Sequence, residues 1–507
     1  MSARTAAARK ELEDLLARPA THFKSWFIKE PALEFGDGHR AADPKMGIST
    51  FGPCGTEEGY PLSTIRVGII GDGDSIQEAQ QWLDRCRGTV TPAQGADVDP
   101  YLFPSFPGMS SPQGFNCRLE FPDGLVEKLT PAEIARCTAA PSRDHAVDAM
   151  GKLVSEKLDA LRDREGPPDV VLVSLSDEVK KAAGAGRMPT RRRKRALPTP
   201  AQLSFFDEKR EEPDPTSRTL HRVIKGEGMR YVFPTQLVWP RTLRGGEDVQ
   251  DDATRAWNFC TALYYKAKGM PWRVSGLAKG TCYVGISFYR VLGEPGQLQT
   301  SMAQAFSERG TGLVLRGTSF KWDRKQGPPR LPRADAKSLL TQVIEQYKKH
   351  HGQPPSRAVI HKSSLFSDDE MAGFEDALRD AVPYYDFLSV AKSNVRFLRV
   401  GKEPPLRGTV IEIASKRYIV FSRGYVPFLR LYPGLRIPRP LEVVHAKGSA
   451  PVTEVLKEFF ALTRMNWNSA DFASAEPITL GFSRKIGLIL SELPADVTPE
   501  RSFRFYM

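Results

Sequence analysis

Four polar residues between His221 and Lys266 have the types and the spacing that binding a terminal phosphate requires. His221 and Lys225 lie four residues apart, so they project from the same face of a helix or turn. Gln236 and Lys266 follow downstream and add an amide and a second ammonium group. A phosphate needs several convergent cations and hydrogen-bond donors because of its high charge. The set predicts a phosphate-binding pocket, although each residue taken alone would be an ordinary surface side chain.

A glycine-containing turn is a second candidate site. Gly68-Ile-Ile-Gly71-Asp72-Gly73 follows a strand-like run and precedes a helix, as in dinucleotide-binding folds. Its spacing departs from GxGxxG, and no acidic residue stands where it would hold a ribose. A plain tight turn in a Rossmann-like fold is therefore the favoured interpretation, with a nucleotide-binding α/β enzyme kept as an alternative.

The length, charge and cysteine content of the chain limit the classes of function that these candidate sites could have. The chain has 507 residues, enough for two or more domains, and its 72 Lys and Arg against 60 Asp and Glu give a formal charge of +12. Such an excess is as compatible with a nucleic-acid partner as with no special partner. The six cysteines contain no CxxC pair, so neither a zinc site nor a disulfide framework is indicated. No apolar run approaches the roughly 20 residues of a membrane span, and we expect a cytoplasmic protein without membrane contact.

Strand-like runs alternate with amphipathic helices, which is typical of an α/β fold. Thr64–Ile70 and Val170–Leu175 predict buried strands. Ser75, with Glu78 three residues on, predicts a capping box at the start of a helix. Further elements are predicted at 147–161, 252–268, 281–291, 312–316, 335–350 and 357–361, with another helix from about 368.

One stretch, at about 182–217, interrupts this alternation. It contains glycine, proline, the basic run Arg191–Arg195 and a mixed-charge segment, and it predicts a long mobile surface loop. The basic run could contact a nucleic-acid backbone, but a solvated charge cluster is the favoured interpretation.

The order of the phosphate candidates resembles the MID domain of Argonaute proteins. That family holds the 5′ phosphate of a guide strand with an aromatic residue, a lysine one turn later, a glutamine, and a lysine on a following helix. The resemblance implies guide 5′-phosphate binding by this stretch at His221, Arg222, Lys225, Gln236 and Lys266. His221 departs from the usual tyrosine, and Lys268 competes with Lys266 for the last role.

The final residues add to this resemblance. Prokaryotic members place the C-terminal carboxylate in the same pocket, where it helps to bind a divalent cation that bridges to the phosphate. The resemblance therefore implies Met507 as a metal ligand and Mg²⁺ as the cofactor, which suits oxygen ligands. Phe503 and Phe505 are available to anchor the terminus.

Three downstream segments resemble a PIWI domain, which has the ribonuclease-H fold. They are Tyr283–Ser287, Ala358–Ser364 and 466–485. Where the family pattern carries metal-binding acids, this chain has Ser287, Ser363 and, at or near the last position, Ser483. A neutral hydroxyl cannot replace a carboxylate as a ligand for a hard metal ion. The resemblance thus implies a PIWI domain without nuclease activity.

An active guided nuclease with atypical acids is the alternative to this interpretation. Its acids would be drawn from Glu308, Asp368, Asp369 and Asp471. None of these stands at the strand position that the family pattern requires.

The resemblance implies a Rossmann-like MID domain followed by a ribonuclease-H-like PIWI domain. We expect an N-terminal segment at 1–55, the MID-like domain at 56–275 and the PIWI-like domain at 276–507. Within the PIWI-like domain, Asn466, Asn468 and Arg484 lie where the family meets the guide backbone, although main-chain or surface roles are equally open.

The opening segment, with Glu30–Gly38 and Asp43–Ile48, resembles short prokaryotic Argonautes. Those proteins pair with an APAZ-containing effector that carries a TIR domain, a sirtuin-like domain or a nuclease. The resemblance implies a sensor in defence against plasmids or phage. It would bind a guide RNA and a complementary single-stranded DNA without cutting, and so activate the effector.

Overall fold

The structure is a computed structural model that describes residues 23–55, 61–92, 101–184, 218–246, 249–290, 297–307, 312–317, 319–322, 327–399, 404–433, 437–493 and 497–507. Most of the loop predicted at 182–217, including Arg191–Arg195, lies outside the described residues, as does Glu308. No helix within the described ranges is both long and apolar enough to cross a membrane.

Strands and helices alternate along the described chain, so the predicted α/β class is confirmed. The strands are β1 (Lys24–Phe27), β2 (Leu33–Glu34), β3 (Arg40–Ala41), β4 (Thr64–Gly71), β5 (Arg118–Glu120), β6 (Val126–Lys128), β7 (Val170–Ser174), β8 (Thr235–Val238), β9 (Arg273–Val274), β10 (Thr281–Arg290), β11 (Gln297–Phe306), β12 (Gly312–Leu315), β13 (Ser319–Lys321), β14 (Arg357–Lys362), β15 (Tyr384–Lys392), β16 (Thr409–Ala414), β17 (Arg417–Val420) and β18 (Leu441–Gly448). The α-helices are α1 (Pro44–Phe51), α2 (Gly73–Arg87), α3 (Pro131–Thr138), α4 (Arg143–Arg162), α5 (Asp177–Ala183), α6 (Leu220–Arg230), α7 (Pro240–Arg244), α8 (Asp252–Lys266), α9 (Arg333–His351), α10 (Asp368–Leu378), α11 (Val452–Ala461), α12 (Ile478–Gly481) and α13 (Ser483–Glu492). A short 3-10 helix, Phe503–Tyr506, forms the terminal turn.

A parallel sheet forms the centre of the first half of the chain. Its strands lie in the order β5-β4-β7-β8, and β6 also pairs with β4. Helices cover parallel strands on both faces, and β7 is accordingly buried at every position. This burial explains why Val170–Ser174 is almost entirely apolar and why β4 becomes apolar after Arg66.

The start of α2 differs from the prediction. Asp72 is the N-cap, and its side chain accepts from the Ser75 amide at 2.9 Å, while the Ser75 hydroxyl accepts from the Asp72 amide at 3.0 Å. The helix thus begins earlier than predicted, and Ser75 is the third helical residue rather than the cap. Glu78 takes no part in capping and instead pairs with Arg244 of α7 at 2.9 Å.

A mixed sheet forms the centre of the second half. Its strands lie in the order β1-β16-β17-β18-β15-β14-β10-β11-β12, with β13 paired to β11. The central strands β10, β14 and β15 are parallel, and β11 and β18 flank them antiparallel. Cys282 and Val284 of β10 pack in a core with α9 and α10, whereas Tyr283 belongs to the core that holds α11 and α13. The sheet therefore has helices on both faces.

The N-terminal segment is built into both halves. Strand β1 pairs with β16 at the edge of the large sheet, and β2 pairs with β9 just before that sheet begins. Glu30 fixes the connection between them, because its carboxylate accepts from Arg407 at 2.9 Å and from Arg464 at 2.5 Å. The described part of the predicted segment 1–55 therefore pairs with strands of both halves, and residue 275 lies between β9 and β10.

Candidate functional site

Lys225 lies in the interior of the first sheet's helical layer. It belongs to α6, which follows the Thr219 N-cap and is buried along nearly its whole length. Its Nζ donates to the main-chain oxygen of Thr235, at the start of β8, and to the oxygen of Met507, the last residue of the chain. The helix thus presents an ammonium group to the point where the chain ends.

Lys266, the last residue of α8, lies beside this ammonium group. Its side chain is buried, and its Nζ donates to Oε1 of Gln236 on β8. Lys268 is exposed and adopts a left-handed backbone conformation with φ of 74°. The structure therefore brings Lys225, Gln236, Lys266 and Met507 together and leaves Lys268 outside.

The electrostatics of this cluster favour an anion. Burial lowers the pKa of Lys225 to about 7. Burial and the adjacent Lys225 ammonium hold the pKa of Lys266 well below its ordinary value. Among the described residues, no carboxylate side chain forms an ion pair with either lysine. Two buried cations that lack side-chain carboxylates are stabilised by an incoming negative charge.

Aromatic packing fixes the position of Met507. In the terminal turn, Phe503 lies 5.1 Å from Phe482 and 6.3 Å from Tyr265 between ring centroids. Tyr265 also stacks on Trp467 at 4.8 Å. Because Tyr265 precedes Lys266 and the other rings belong to the second half of the chain, both halves position the same pocket.

His221 and Arg222 have different surroundings, although they are adjacent in α6. His221 is exposed in the first turn, one helical turn before Lys225. Arg222 is buried, and its Nη1 donates to Oε1 of Glu492 at 2.7 Å. Arg222 therefore bonds to α13 of the second half. The sequence offered no signal for Glu492, since the two residues are far apart along the chain.

The loop after α11 carries two predicted guide-backbone residues. Asn466 organises the loop itself, because its Nδ2 donates to Ser469 and its Oδ1 accepts from the amide of Asn468 at 3.1 Å. The amide of Ala470 donates to Oδ1 of Asn258 in α8 at 3.0 Å, which ties the loop to the first half. Asn468 is exposed, and the side chain of Arg484 lies outside the described residues.

The three serines that were predicted to stand in place of acids lie near one end of the large sheet. Gly285 of β10 is paired in register with His361 of β14, and both approach Thr479 of α12. Ser287 and Ser363 are each two residues further on, so they lie on that same side where these parallel strands end. Ser483 begins α13, which packs against β10, and its hydroxyl donates to Leu480.

The described acids of the alternative nuclease hypothesis do not cluster around these serines. In the part of the chain that the structure describes, no group of three or more His, Cys, Asp or Glu side chains is arranged to hold a metal ion. Asp368 and Asp369 are exposed in the first turn of α10, and Asp471 accepts a hydrogen bond from Ser469. Lys362, next to Ser363, pairs with buried Glu370 at 2.6 Å on the opposite face of the strand.

The glycine turn after β4 is filled by the protein. The Ser75 hydroxyl donates to the Ser174 oxygen at 2.7 Å, and the Ser174 hydroxyl donates to the Ser75 oxygen at 2.9 Å. A Cβ at Gly71 would lie 2.3 Å from that Ser174 oxygen, so glycine is required by the close approach of the two strands. The Asp72 carboxylate occupies the start of α2, where a pyrophosphate would otherwise bind. These contacts support a structural turn rather than a nucleotide site.

Comparison with known proteins points to one fold family. No protein-family model matches the chain. A segment of 141 residues is 28% identical to the protein argonaute of Thermus thermophilus, which corresponds to 28% of this chain and 19% of that protein.

Solved structures extend the similarity over nearly the whole chain. Clostridium butyricum Argonaute, bound to a guide DNA and a 19-mer target DNA, superposes with a TM-score of 0.62 and 14% identity over 95% of this chain and 54% of that one. A. aeolicus Argonaute superposes with a TM-score of 0.54 and 14% identity over 98% of this chain and 58% of that one. The chain thus spans about half the length of these structures.

The chain shares the mixed α/β fold of these Argonaute structures, with a Rossmann-like sheet followed by a ribonuclease-H-like sheet. The chain thus has the fold of these Argonaute structures, and one segment of it is similar in sequence to an Argonaute protein.

Proposed function

We propose that this protein binds a 5′-phosphorylated guide strand, with the phosphate held by Lys225, Lys266 and Gln236. The observation that carries the proposal is the pair of adjacent buried amino groups of Lys225 and Lys266, which also donate to oxygens of Thr235, Met507 and Gln236. A terminal phosphate carries a charge of about −1.5 to −2 at neutral pH. It therefore supplies the negative charge that the two lysines lack, even with the Met507 carboxylate in place.

In this proposal His221 contacts the first base of the guide rather than the phosphate. Its exposed ring stands one helical turn before Lys225 on the same side of α6. An exposed imidazole in that position can stack on the first base of the guide or donate a hydrogen bond to it. Arg222, which bonds to Glu492, supports the helix instead of contacting the phosphate in this proposal.

Mg²⁺ fits the donor chemistry beside Met507. In this proposal, the Met507 oxygen that accepts from Lys225 belongs to the terminal carboxylate that the resemblance implies. Carboxylate and phosphate oxygens are ligands that Mg²⁺ prefers, and it commonly uses one or two carboxylates together with a phosphate. The cation would be held by the Met507 carboxylate and the guide phosphate, and it would neutralise the repulsion between them.

We propose further that the protein does not cut the paired strand. Cleavage by a ribonuclease-H fold depends on carboxylates that hold two metal ions. Ser287 and Ser363 directly follow the last paired residues of two adjacent parallel strands, at positions where the family pattern has aspartates, and Ser483 begins the nearby helix. Three neutral hydroxyls cannot hold that pair of ions.

A sensor that binds without cutting needs a second protein to act. In this proposal the guide is RNA, the target is single-stranded DNA, and pairing activates an APAZ-containing effector in defence against plasmids or phage. The support is the resemblance of the opening segment to short prokaryotic Argonautes. Glu30 of that segment is held by Arg407 and Arg464 of the second half.

Guide binding is tested by comparing one oligonucleotide with a 5′ phosphate and with a 5′ hydroxyl, as RNA and as DNA. The double variant Lys225→Ala/Gln236→Ala removes two donors to the phosphate. Since charge-assisted hydrogen bonds contribute about 1.5–3 kcal/mol each, we expect a loss of roughly a hundredfold in affinity for the phosphorylated guide. The 5′-hydroxyl guide and the exposed Lys457→Ala variant are the controls. An unchanged Kd in the double variant would refute the pocket.

The absence of cleavage has its own test. The guide-loaded protein is incubated with a matched strand and Mg²⁺ or Mn²⁺, and we expect the strand to remain intact. Cleavage that persists in a highly purified sample and follows the guide sequence would overturn this part of the proposal.

A further inference from the structure

One buried ion pair joins the helix of the phosphate pocket to the PIWI-like domain. Arg222 of α6 and Glu492 of α13 lie 2.7 Å apart, with side chains 5% and 0% exposed. Glu492 also accepts from the amide of Thr219, the N-cap of α6, at 3.1 and 3.3 Å. One carboxylate from the second domain therefore meets both the first amide and the first cation of this helix.

This arrangement changes the chemistry of the helix start. The N-terminus of a helix carries orphan amides and a partial positive charge, and it commonly binds a phosphate. In α6 the Glu492 carboxylate occupies the place where a phosphate would bind. A hydrogen bond therefore connects the start of α6 to α13. Lys225 stands one turn further on and provides the cation for the pocket.

Helix α13 is placed to transmit that constraint. It packs against β10, against α6 and against the terminal turn that ends at Met507. Its first residue is Ser483 and its last is Glu492. The same helix thus contacts both the element that carries Lys225 and the turn that carries its acceptor.

We infer that Glu492 and Arg222 are positioning residues, which hold α6 in the place where Lys225 faces Met507 and Lys266. The inference rests on the proposed function, because it assigns these residues a role in the same phosphate pocket. Their loss lets α6 shift relative to the terminal turn. The contribution of the 5′ phosphate to guide affinity then falls, while contacts to the rest of the guide are retained.

The experiment measures a phosphate factor, defined as the Kd of a 5′-hydroxyl guide divided by that of the same guide with a 5′ phosphate. We expect Arg222→Met and Glu492→Ala to lower this factor by about tenfold, since misplacement of a binding group by roughly 1 Å is sufficient for such losses. Glu492→Gln retains an oxygen acceptor for Thr219 and should give an intermediate value. The Kd of the 5′-hydroxyl guide should change little.

Glu370→Gln is the matched control. Glu370 is a fully buried glutamate that pairs with a basic residue, Lys362, and caps a helix, but it lies at the start of α10. Its substitution should lower the melting temperature without changing the phosphate factor. An equal fall of the factor in this control would show a general loss of stability and would overturn the inference.

The double variant Arg222→Met/Glu492→Met provides a test in case the single variants fail to fold. Replacing both partners of a buried ion pair by apolar residues avoids an unpaired charge and often preserves stability. The double variant still lacks the acceptor for Thr219, so its phosphate factor should also fall. If the wild type has a large phosphate factor and the folded variants keep it, the inference about Arg222 and Glu492 is overturned but the proposed function is not. If the phosphate factor of the wild type itself is near one, the proposed function is overturned as well.

Discussion

Lys225 and Lys266 each lose most of their hydration in the pocket, and the charge of Lys225 opposes a second charge on Lys266. Burial lowers the pKa of both ammonium groups, to about 7 for Lys225. A phosphate dianion reverses this effect, because an adjacent opposite charge favours the charged form of a lysine. Under the proposed function, guide binding is therefore linked to proton uptake at Lys225.

This linkage predicts that guide affinity depends on pH. Below pH of about 7 Lys225 is already protonated, so phosphate binding requires no proton uptake by this lysine. At higher pH the guide must bring a proton onto Lys225, and the Kd rises by up to about tenfold per pH unit until the pKa of the bound state is reached. The phosphate itself, with a second pKa of about 6, stays dianionic in this range.

The measurement is the Kd of 5′-phosphate and 5′-hydroxyl guides at several pH values from about 7 to about 9. The difference between the two guides should shrink as the pH rises. Lys225→Met should have a smaller slope, since only Lys266 then titrates. A phosphate contribution that is constant across the series would contradict the linkage.

Lys266 and Lys268 provide a matched pair of substitutions. Lys266→Met removes a buried donor beside Gln236, so we expect roughly a tenfold or greater loss of affinity for the 5′-phosphorylated guide. Lys268→Met removes only an exposed charge and should change that affinity less than about threefold. Equal effects of the two variants in the same binding assay would argue against the assignment to Lys266.

Sequence spacing alone left these two lysines undecided, and the reason is local. Lys266 and Lys268 are two residues apart, at the point where α8 ends. A left-handed φ at Lys268 directs the chain away from the helix, and residue types do not reveal which lysine precedes that change. Arg222 is a similar case, because its partner Glu492 lies on a distant helix.

At the scale of elements, the positions of strand ends determine the chemistry of the large sheet. Ser287 and Ser363 follow register partners in two parallel strands, β10 and β14. Carboxylates at two such positions would lie close together, and close carboxylates repel each other unless a cation joins them. With serines at these positions, this repulsion does not arise.

The double variant Ser287→Asp/Ser363→Asp tests this geometry. We expect it to be less stable than the wild type in the absence of metal, because Ser287 is buried. Mn²⁺ should raise its melting temperature by several degrees, since ligand binding to the folded state stabilises it. The wild type and each single variant should respond less. If Mn²⁺ does not change the melting temperature of the double variant, the side chains at these two positions do not lie close enough to share a metal ion.

Local patterns predicted most elements, and non-local pairing accounts for most of what they missed. Buried strands such as β4 and β7 were evident as apolar runs. The pairing of β1 with β16 was not, because it joins residues from opposite ends of the chain. The cap of α2 was misplaced because Asp72 and Ser75 are both good capping residues, and only the backbone shows which one starts the helix.

At the scale of the whole molecule, the pocket is shared between the two domains. Lys225, Gln236 and Lys266 come from the MID-like domain, and Met507 comes from the end of the PIWI-like domain. The rings of Tyr265, Trp467 and Phe503 hold the two contributions together. A change at the terminus should therefore alter the phosphate pocket without disturbing either sheet.

A single glycine added after Met507 tests this composite site. The extra residue moves the carboxylate by up to about 3.5 Å and leaves a neutral carbonyl at Met507. The oxygen that contacts Lys225 remains, but the charge that would hold Mg²⁺ beside the phosphate is displaced. We expect the wild type to bind a 5′-phosphorylated guide more tightly with Mg²⁺ than with EDTA, and the extended chain to lose most of that difference.

The matched control is Met507→Leu, which keeps the carboxylate and a buried apolar side chain. If the extended chain and the control respond equally to Mg²⁺, the terminal carboxylate is not a ligand, and Lys225 and Lys266 alone must balance the phosphate charge.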